Sequence, residues 1–549
     1  MARLSSSLLV LVSVTAPLAA QTSLEGRVDS VFRQYTSTET PGCVVGAAQR
    51  GRVLLERAFG MADLERSVAL TPSSILEAGS VSKQFTAAAV LLLARDGKLS
   101  LDDPVRRWVP ELPEIMQPIT LRHMVHHMSG LRDWGSIAGI GGWPRNSRAL
   151  DHRVVLQIIG RMRELNFPPG TEYEYSNSNY NLLAIVAERA SGESLPAFTK
   201  RRIFDPLGMT STSWRDDAMR VVRNRALSYD KDSEWHGERA VENIYGNCCL
   251  LTTVGDLLKW NAAFDSTRLG GAGFRAEQER RGVLKNGQAI DYAAGLFVGT
   301  WRGQHWVGHS GATSGYRANL VRYTDAGVSV AVLCNRGDAD PEGMSDSVAG
   351  ALVPFGARDT ANSPVRVSVP AAALADKAGL YRNLRDMRAQ RLRVRDGKLE
   401  NENGIELVPI DRAGTTFQAA RGGMKIVFAR RPDGHYNART ASRTADTVAV
   451  DWVADADTGR AALAAYAGQY ESPEAETTVR VALDSTGSLA MTRLSGTPGG
   501  PWPMKPIYRD GFEMVPGVPV FTRDSGGKID GFRFTTGRVR NLRFNRSAP

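Results

Sequence analysis

Three serines in this chain are followed three residues later by a lysine: Ser80 in "SVSK", Ser228 in "SYDK" and Ser525 in "SGGK". A serine hydroxyl is a poor nucleophile until a base takes its proton. A lysine can be that base once its surroundings lower its pKa. Only Ser80 precedes a long apolar run, "KQFTAAAVLLLARDGKL" (83–99), which reads as a buried helix ended by Gly97. On a helix, residues i and i+3 share a face, so the Lys83 stem passes beside the Ser80 hydroxyl. A capping serine would prefer Glu or Gln at the third position. A lysine there meets the positive helix end, which disfavours its charged form and suits work as a base. Ser228 lies in a polar segment without helical period, and Ser525 lies in a predicted hairpin turn.

Two further pieces carry matching chemistry. "PGTEYEYSNSNYNLLAIVAERASG" places Tyr175 and Asn177 after a Pro-Gly turn and before a second apolar helix. Tyr245-x-Asn247 and Tyr381-x-Asn383 share the Y-x-N spacing but not that setting. "GHSGATSG" contains the sole H-x-G among eight histidines, His309-Ser310-Gly311. A strand glycine there suggests close backbone approach by a ligand. A metal alternative rests on His123, His126 and His127, whose i, i+3, i+4 spacing could present two ligands on one helix face. No H-E-x-x-H pattern and no obvious third ligand accompanies them, so no metal is expected.

These pieces need a scaffold. "GCVVGAAQRGRVLLERAFG" reads as a hairpin, and "HWVGHSGATSGYRANLVRYTDAGVSVAVLCNR" as three strands with glycine-bearing turns. Strands at both ends with helices between predict one α/β domain over 24–354, its sheet closed from distant parts of the chain. A linker is expected at 355–370. Beyond it the sequence repeats in order. "LADKAGLY" returns as "LAAYAGQY", "PIDRAG" as "PIYRDG", and "FARRPDG" as "FTRDSGG". Two copies of one all-β unit follow, at 371–456 and 460–549, each long enough for a small antiparallel barrel.

Composition limits the remaining classes. The net charge of +10 is carried mainly by arginine, with 11 lysines among 68 basic residues. No Lys/Arg block with interleaved aromatics appears, so a solvated surface is expected rather than a nucleic-acid partner. Residues 1–20 carry an early arginine, an apolar run and small residues before Gln21, which predicts an export signal. That run is far shorter than the roughly 20 apolar residues of a spanning helix. An exported, periplasmic or secreted protein with no integral span after cleavage is therefore expected. Cys43, Cys248, Cys249 and Cys334 read as buried free thiols, although export would permit a bridge.

As an ordered set, Ser80-Lys83, Tyr175-Asn177 and His309-Gly311 resemble the penicillin-recognising serine hydrolases. These include D-Ala-D-Ala carboxypeptidases, class C β-lactamases, D-aminopeptidases and related esterases. "ITLRHMVHHMSGL", "IFDPLGMTSTSW" and "LTTVGDLLKW" support the resemblance over most of 24–354. It implies a serine β-lactamase-like α/β (α+β) catalytic domain, an antiparallel sheet flanked by helices, followed by two small antiparallel β-barrels as in D-aminopeptidases. It implies that Ser80 forms an acyl-enzyme while Lys83 and Tyr175 manage the proton. Asn177 would hold Lys83 and a substrate amide. The backbone N–H groups of Ser80 and Ala312, beside His309 and Gly311, would form an oxyanion hole. Histidine at 309, where β-lactamases of the group usually have lysine, points to peptidases. The implied function is an exported hydrolase of small peptides or amides with D-residues, needing no cofactor. Short substrates with a free amino terminus are expected to outrun cephalosporins. The alternatives are a carboxylesterase or β-lactamase of the same group, or a non-catalytic sensor of peptidoglycan fragments.

Overall fold

The computed structural model describes residues 23–547 except 146, 240, 354–355, 357–363, 421–422 and 442–446. The expected export signal and part of the expected linker lie outside the described residues.

The region expected to be catalytic is built on a six-stranded antiparallel sheet. Its strands are β1 (Cys43–Gln49), β2 (Arg52–Phe59), β3 (Phe297–Trp301), β4 (Gln304–Thr313), β5 (Tyr316–Tyr323) and β6 (Val328–Cys334), in the order β3-β4-β5-β6-β1-β2. The hairpin β1–β2 and the meander β3–β6 come from opposite ends of the region and join at β1–β6. β1 and β6 are central, with helices on both faces. That is why "CVVGAAQ" and "VSVAVLC" read as continuous apolar runs rather than alternating ones. One face is covered by α1 (Leu24–Val31) and α6 (Pro341–Leu352). The other is covered by α5 (Val254–Ala263), behind which pack α2 (Lys83–Arg95), α3 (Trp134–Ile140) and α4 (Asn177–Ser191). α2 and α4 touch side by side, so the residues that open them lie close together.

Two closed eight-stranded antiparallel barrels follow, running from Gly379–Asn383 to Thr447–Val453 and from Gly468–Ser472 to Val539–Arg546. The sequence repeats fall at equivalent places. "LADKAGLY" and "LAAYAGQY" each span a short helix and the first strand. "PIDRAG" and "PIYRDG" each leave the fourth strand, while "FARRPDG" and "FTRDSGG" each leave the sixth.

The cysteines differ from the expectation of free thiols: Cys43 is bonded to Cys334 and Cys248 to Cys249. Cys43 and Cys334 are directly opposed in the β1–β6 ladder with Cα atoms 4.0 Å apart. Sequence separation hid a pairing that strand register makes immediate.

The second barrel shares one apolar core with the sheet-and-helix region before it, whereas the first keeps its own. A buried ion pair seals that junction. Arg132 Nη1 donates to Glu474 Oε1 at 2.6 Å, and Arg132 also donates to the Arg540 carbonyl. Arg540 in turn pairs with Glu172 and Glu174. Among the described residues, no helix is long and apolar enough to cross a membrane.

Candidate active site

Ser80 sits in a single 3-10 turn, Gly79–Ser82, immediately before α2. The turn, not a capped helix start, presents its hydroxyl. Ser82 braces it from within, donating from Oγ to the Gly79 carbonyl at 2.6 Å and accepting from Leu250 N–H at 3.0 Å. Lys83, the first residue of α2, is wholly buried. Its Nζ lies 3.1 Å from Ser80 Oγ, 2.9 Å from Asn177 Oδ1 and 2.5 Å from the Asn247 carbonyl oxygen. Burial holds the Lys83 ammonium well below its ordinary pKa, and the positive charge of Arg538 adds to that. Such a lysine can exist as a free amine and take the proton of the hydroxyl beside it.

Tyr175 stands on the extended segment leading into α4, with Lys83 Nζ 4.8 Å from its ring centre. Its hydroxyl is buried and has no hydrogen-bond partner of good geometry among the described residues. Burial pushes this phenol well up, while the nearby Ser80 hydroxyl and Arg538 pull it partly back. It is therefore a protonated phenol rather than a standing phenolate. Asn177 opens α4, its N–H donating to Asp133 Oδ2 at 2.8 Å and its amide oxygen facing Lys83.

The opposite wall is β4, which lies against the Ser80 turn because two glycines leave room. At Gly79 (φ +53°) a Cβ would stand 2.7 Å from Ala312 N, and at Gly311 one would stand 2.1 Å from the Ala78 carbonyl oxygen. Either substitution would push apart the two backbone segments that bear the Ser80 and Ala312 N–H groups. His309, on β4, is buried beside them. Its Nδ1 is 2.6 Å from the Ser310 carbonyl oxygen and its Nε2 3.1 Å from the Tyr292 hydroxyl. Burial, and next the Lys83 charge, lower its pKa to about 3, so the ring is neutral. The cleft measures about 620 Å³ and is lined by all seven residues singled out in the sequence except Lys83, which lies beneath Ser80.

The region spanned by this sheet and its helices, residues 28–355, matches the family model described as Beta-lactamase. The chain belongs to the beta-lactamase family. It is a hydrolytic enzyme of that family's serine type. A D-aminopeptidase of Brucella anthropi is 28% identical over 452 residues, covering 78% of this chain and 84% of its own length. Penicillin-binding protein 4* of Bacillus subtilis is 29% identical over 305 residues, covering 53% of this chain and 67% of its own. In fold, an octameric penicillin-binding protein homologue from Pyrococcus abyssi superposes with a TM-score of 0.54 at 21% identity, covering 78% of this chain and 99% of its own.

Three residues in or behind the cleft of this beta-lactamase-family domain have contacts there that the sequence did not suggest. Asn247 belongs to a Y-x-N match set aside there, yet its carbonyl accepts from Lys83 and its side chain accepts from Asn181. His127 adopts φ +56°, leaves its short helix and packs 4.3 Å from the Tyr175 ring centre. The three histidines at 123, 126 and 127 therefore diverge. His123 caps Thr120, His126 contacts the Arg122 and Arg280 carbonyls, and His127 meets Ser176 N–H and the Asn179 amide. Arg538, from the last hairpin turn of the second barrel, also lines the cleft. Only its distance in space, not any local pattern, connects it to Ser80.

Proposed function

We propose that this protein is an exported serine hydrolase that cleaves peptides or amides beside a D-residue through an acyl-enzyme. The contact of Ser80 Oγ with the buried amine of Lys83, 3.1 Å away, carries this reading. Lys83 takes the Ser80 proton as Oγ attacks the scissile carbonyl carbon. The tetrahedral oxyanion is held by the N–H groups of Ser80 and Ala312, and donors of this kind typically contribute about 2.7–4 kcal/mol each. As the intermediate collapses, the C–N bond breaks, and the leaving amine takes a proton through Tyr175 and Lys83. Water then attacks the Ser80 ester, the same pair accepts its proton, and the acid product and free hydroxyl are released. Asn177 holds Lys83 and a substrate amide. This chain of steps calls on no metal or organic cofactor.

The D-aminopeptidase relative supports a D-residue, and the residues at 1–20 support export. The neutral ring of His309 stands where β-lactamases of the group usually carry a charged lysine, which supports peptide or amide over β-lactam substrates. The complete set at Ser80, Lys83 and Tyr175 favours an enzyme over a silent sensor.

The test is a panel of D- and L-aminoacyl amides, D-Ala-D-Ala peptides, short acyl esters and a chromogenic cephalosporin, with fluorophosphonate labelling of Ser80. D-aminoacyl amides should exceed their L counterparts by about tenfold or more in kcat/KM. Faster turnover of the cephalosporin or of simple esters would overturn the assignment, and an unlabelled Ser80 would overturn the acyl-enzyme.

A further inference from the structure

The charges around the cleft are unevenly satisfied. Three arginines line it: Arg145, Arg317 and Arg538. Arg145 is bound to the buried Glu242 carboxylate. Arg317 donates to the Ser314 and Tyr316 carbonyls. The Arg538 guanidinium donates no hydrogen bond among the described residues. It lies 4.7 Å over the Tyr175 ring centre, with its side chain 45% exposed. Its nearest carboxylate, Asp133, is 3.9 Å away and already accepts from Ser136 N–H, Ser136 Oγ and Asn177 N–H.

The backbone of the turn is nonetheless fixed. Arg538 lies between strands Ile529–Thr536 and Val539–Arg546 of the second barrel. Its carbonyl accepts from Asp133 N–H at 3.2 Å and from Asn166 Nδ2 at 3.1 Å, while Arg540 N–H donates to Asn166 Oδ1 at 2.8 Å. A planar fork of donors is thus held at the rim of the Ser80 cleft with its hydrogen-bonding capacity unspent. A carboxylate matches such a fork in charge and shape. An ammonium would meet a like charge that has only a distant, already occupied counter-ion.

We propose that Arg538 is a specificity residue whose guanidinium binds a carboxylate on the substrate and disfavours substrates that place an ammonium there. This rests on the amide-cleaving reading above and sharpens it. The positive charge that His309 does not supply comes instead from another folding unit of the chain. It also replaces the expectation of a free amino terminus. The Arg538 side chain offers an α-ammonium no acceptor but offers a donor to an acidic group, such as an acidic side chain, an acidic acyl cap or a terminal carboxylate; the carboxylates that line the cleft, Asp340 and Glu342, belong instead to the start of α6.

Two substrate arms separate where that carboxylate sits. The first compares succinyl-, acetyl- and unblocked D-alanine p-nitroanilides. The second compares acetyl-D-alanyl-D-alanine with its C-terminal amide. The parent enzyme should favour the carboxylated member of at least one arm, mainly through KM. Arg538→Ala should cut that preference about ten- to hundredfold, the range typical of charged hydrogen bonds. Arg538→Lys should keep part of it, and Arg538→Glu should invert it. Ratios between substrates cancel any general change in Lys83 reactivity.

A measurement that needs no amide turnover keeps the two readings apart. Fluorophosphonate labelling of Ser80 should be slowed more by succinyl-D-alaninamide or acetyl-D-alanyl-D-alanine than by their uncharged counterparts, and Arg538→Ala should erase the difference. Turnover of none of the amides, with this charge preference intact, would sink the amidase reading alone. Equal protection by charged and neutral compounds, or a preference unchanged in Arg538→Ala, would overturn the role of Arg538.

Discussion

Lys83 stands 3.1 Å from Ser80 Oγ, wholly buried, and among the described residues it forms no ion pair with a carboxylate. Its other two contacts are oxygens of uncharged groups, Asn177 Oδ1 and the Asn247 carbonyl. The site therefore orients the amine without a paired carboxylate to hold its charge, and burial disfavours that charge, which suits a base.

Activity should accordingly fall on the acid side as pH drops through the lowered pKa of Lys83, because protonation removes the base. That limb belongs to the coupled Lys83–Tyr175 pair rather than to one residue. Arg538 is the second cause of the shift after burial, so Arg538→Ala should move the limb to higher pH. Ser80→Ala should lower kcat/KM by about four orders of magnitude or more, leaving thermal unfolding near that of the parent. Lys83→Arg should be inactive, since arginine stays charged. Ser82→Ala differs in kind: it removes a partner of Leu250 N–H and Gly79 O, and should cost about 1–3 kcal/mol of stability rather than the chemistry. A pH–rate profile and a melting curve on each variant check all of these. Ordinary activity in Lys83→Arg would exclude general-base work there.

Buried histidines should make the fold less stable in acid. Burial holds the folded His309 down to about 3, against about 6.5 in the unfolded chain, because it disfavours the charged form. The unfolded chain thus binds the extra proton. His309's contribution is complete above pH 6.5, shrinks as pH falls below it, and is lost as pH approaches 3. At pH 4.5 this one residue should cost about 2–3 kcal/mol. His127 shifts in the same direction, also chiefly through burial. His309→Gln should therefore flatten the loss of Tm between pH 6.5 and 4. An unchanged slope would mean that the ring is protonated in the folded state.

The elements that carry Ser80, Tyr175 and His309 were legible in the sequence because local signals set them. An apolar run after "SVSK", a Pro-Gly turn before "YSN" and β-rich runs around "HSG" each specify their own backbone. The barrels were legible because their turns repeat. What escaped depends on pairings between distant segments. Cys43 meets Cys334 only through the β1–β6 register, across a separation of 291 residues. Asn247 looks like a chance Y-x-N match until its carbonyl reaches Lys83. Arg538 sits in an ordinary hairpin turn, and nothing near it in sequence announces the cleft.

The Cys43–Cys334 bridge should contribute to stability mainly by closing a long loop in the unfolded chain, by about 2–5 kcal/mol. Both sulfurs are buried, so reduction should follow opening of the sheet. Protein from an oxidising compartment, unfolded without reductant, should show no free thiol. The Cys43→Ser/Cys334→Ser double variant should melt lower by an amount that reductant does not increase further through this pair. Free thiols at full stoichiometry in active, exported protein would contradict the bridges.

The junction of Arg132 with Glu474 decides whether the second barrel can be treated as a separable lid. Removing residues 371–549 would expose the apolar core that this barrel shares with the catalytic region, so truncation would confound access with misfolding. Point variants in the full chain avoid this. Arg132→Ala leaves the Glu474 carboxylate buried without its partner, and breaking a buried pair from one side typically costs about 3–5 kcal/mol. Arg132→Met with Glu474→Leu removes both charges and should cost less than the single change. The same junction holds the Arg538 turn through Asp133 and Asn166, so loosening it should release the guanidinium from its place over Tyr175. Arg132→Ala is therefore expected to do two things together. Proteolysis around the second barrel should accelerate, and the ratio of kcat/KM for carboxylated to neutral substrates should fall toward that of Arg538→Ala. Faster proteolysis with an unchanged ratio would show that the turn keeps its position independently of the junction.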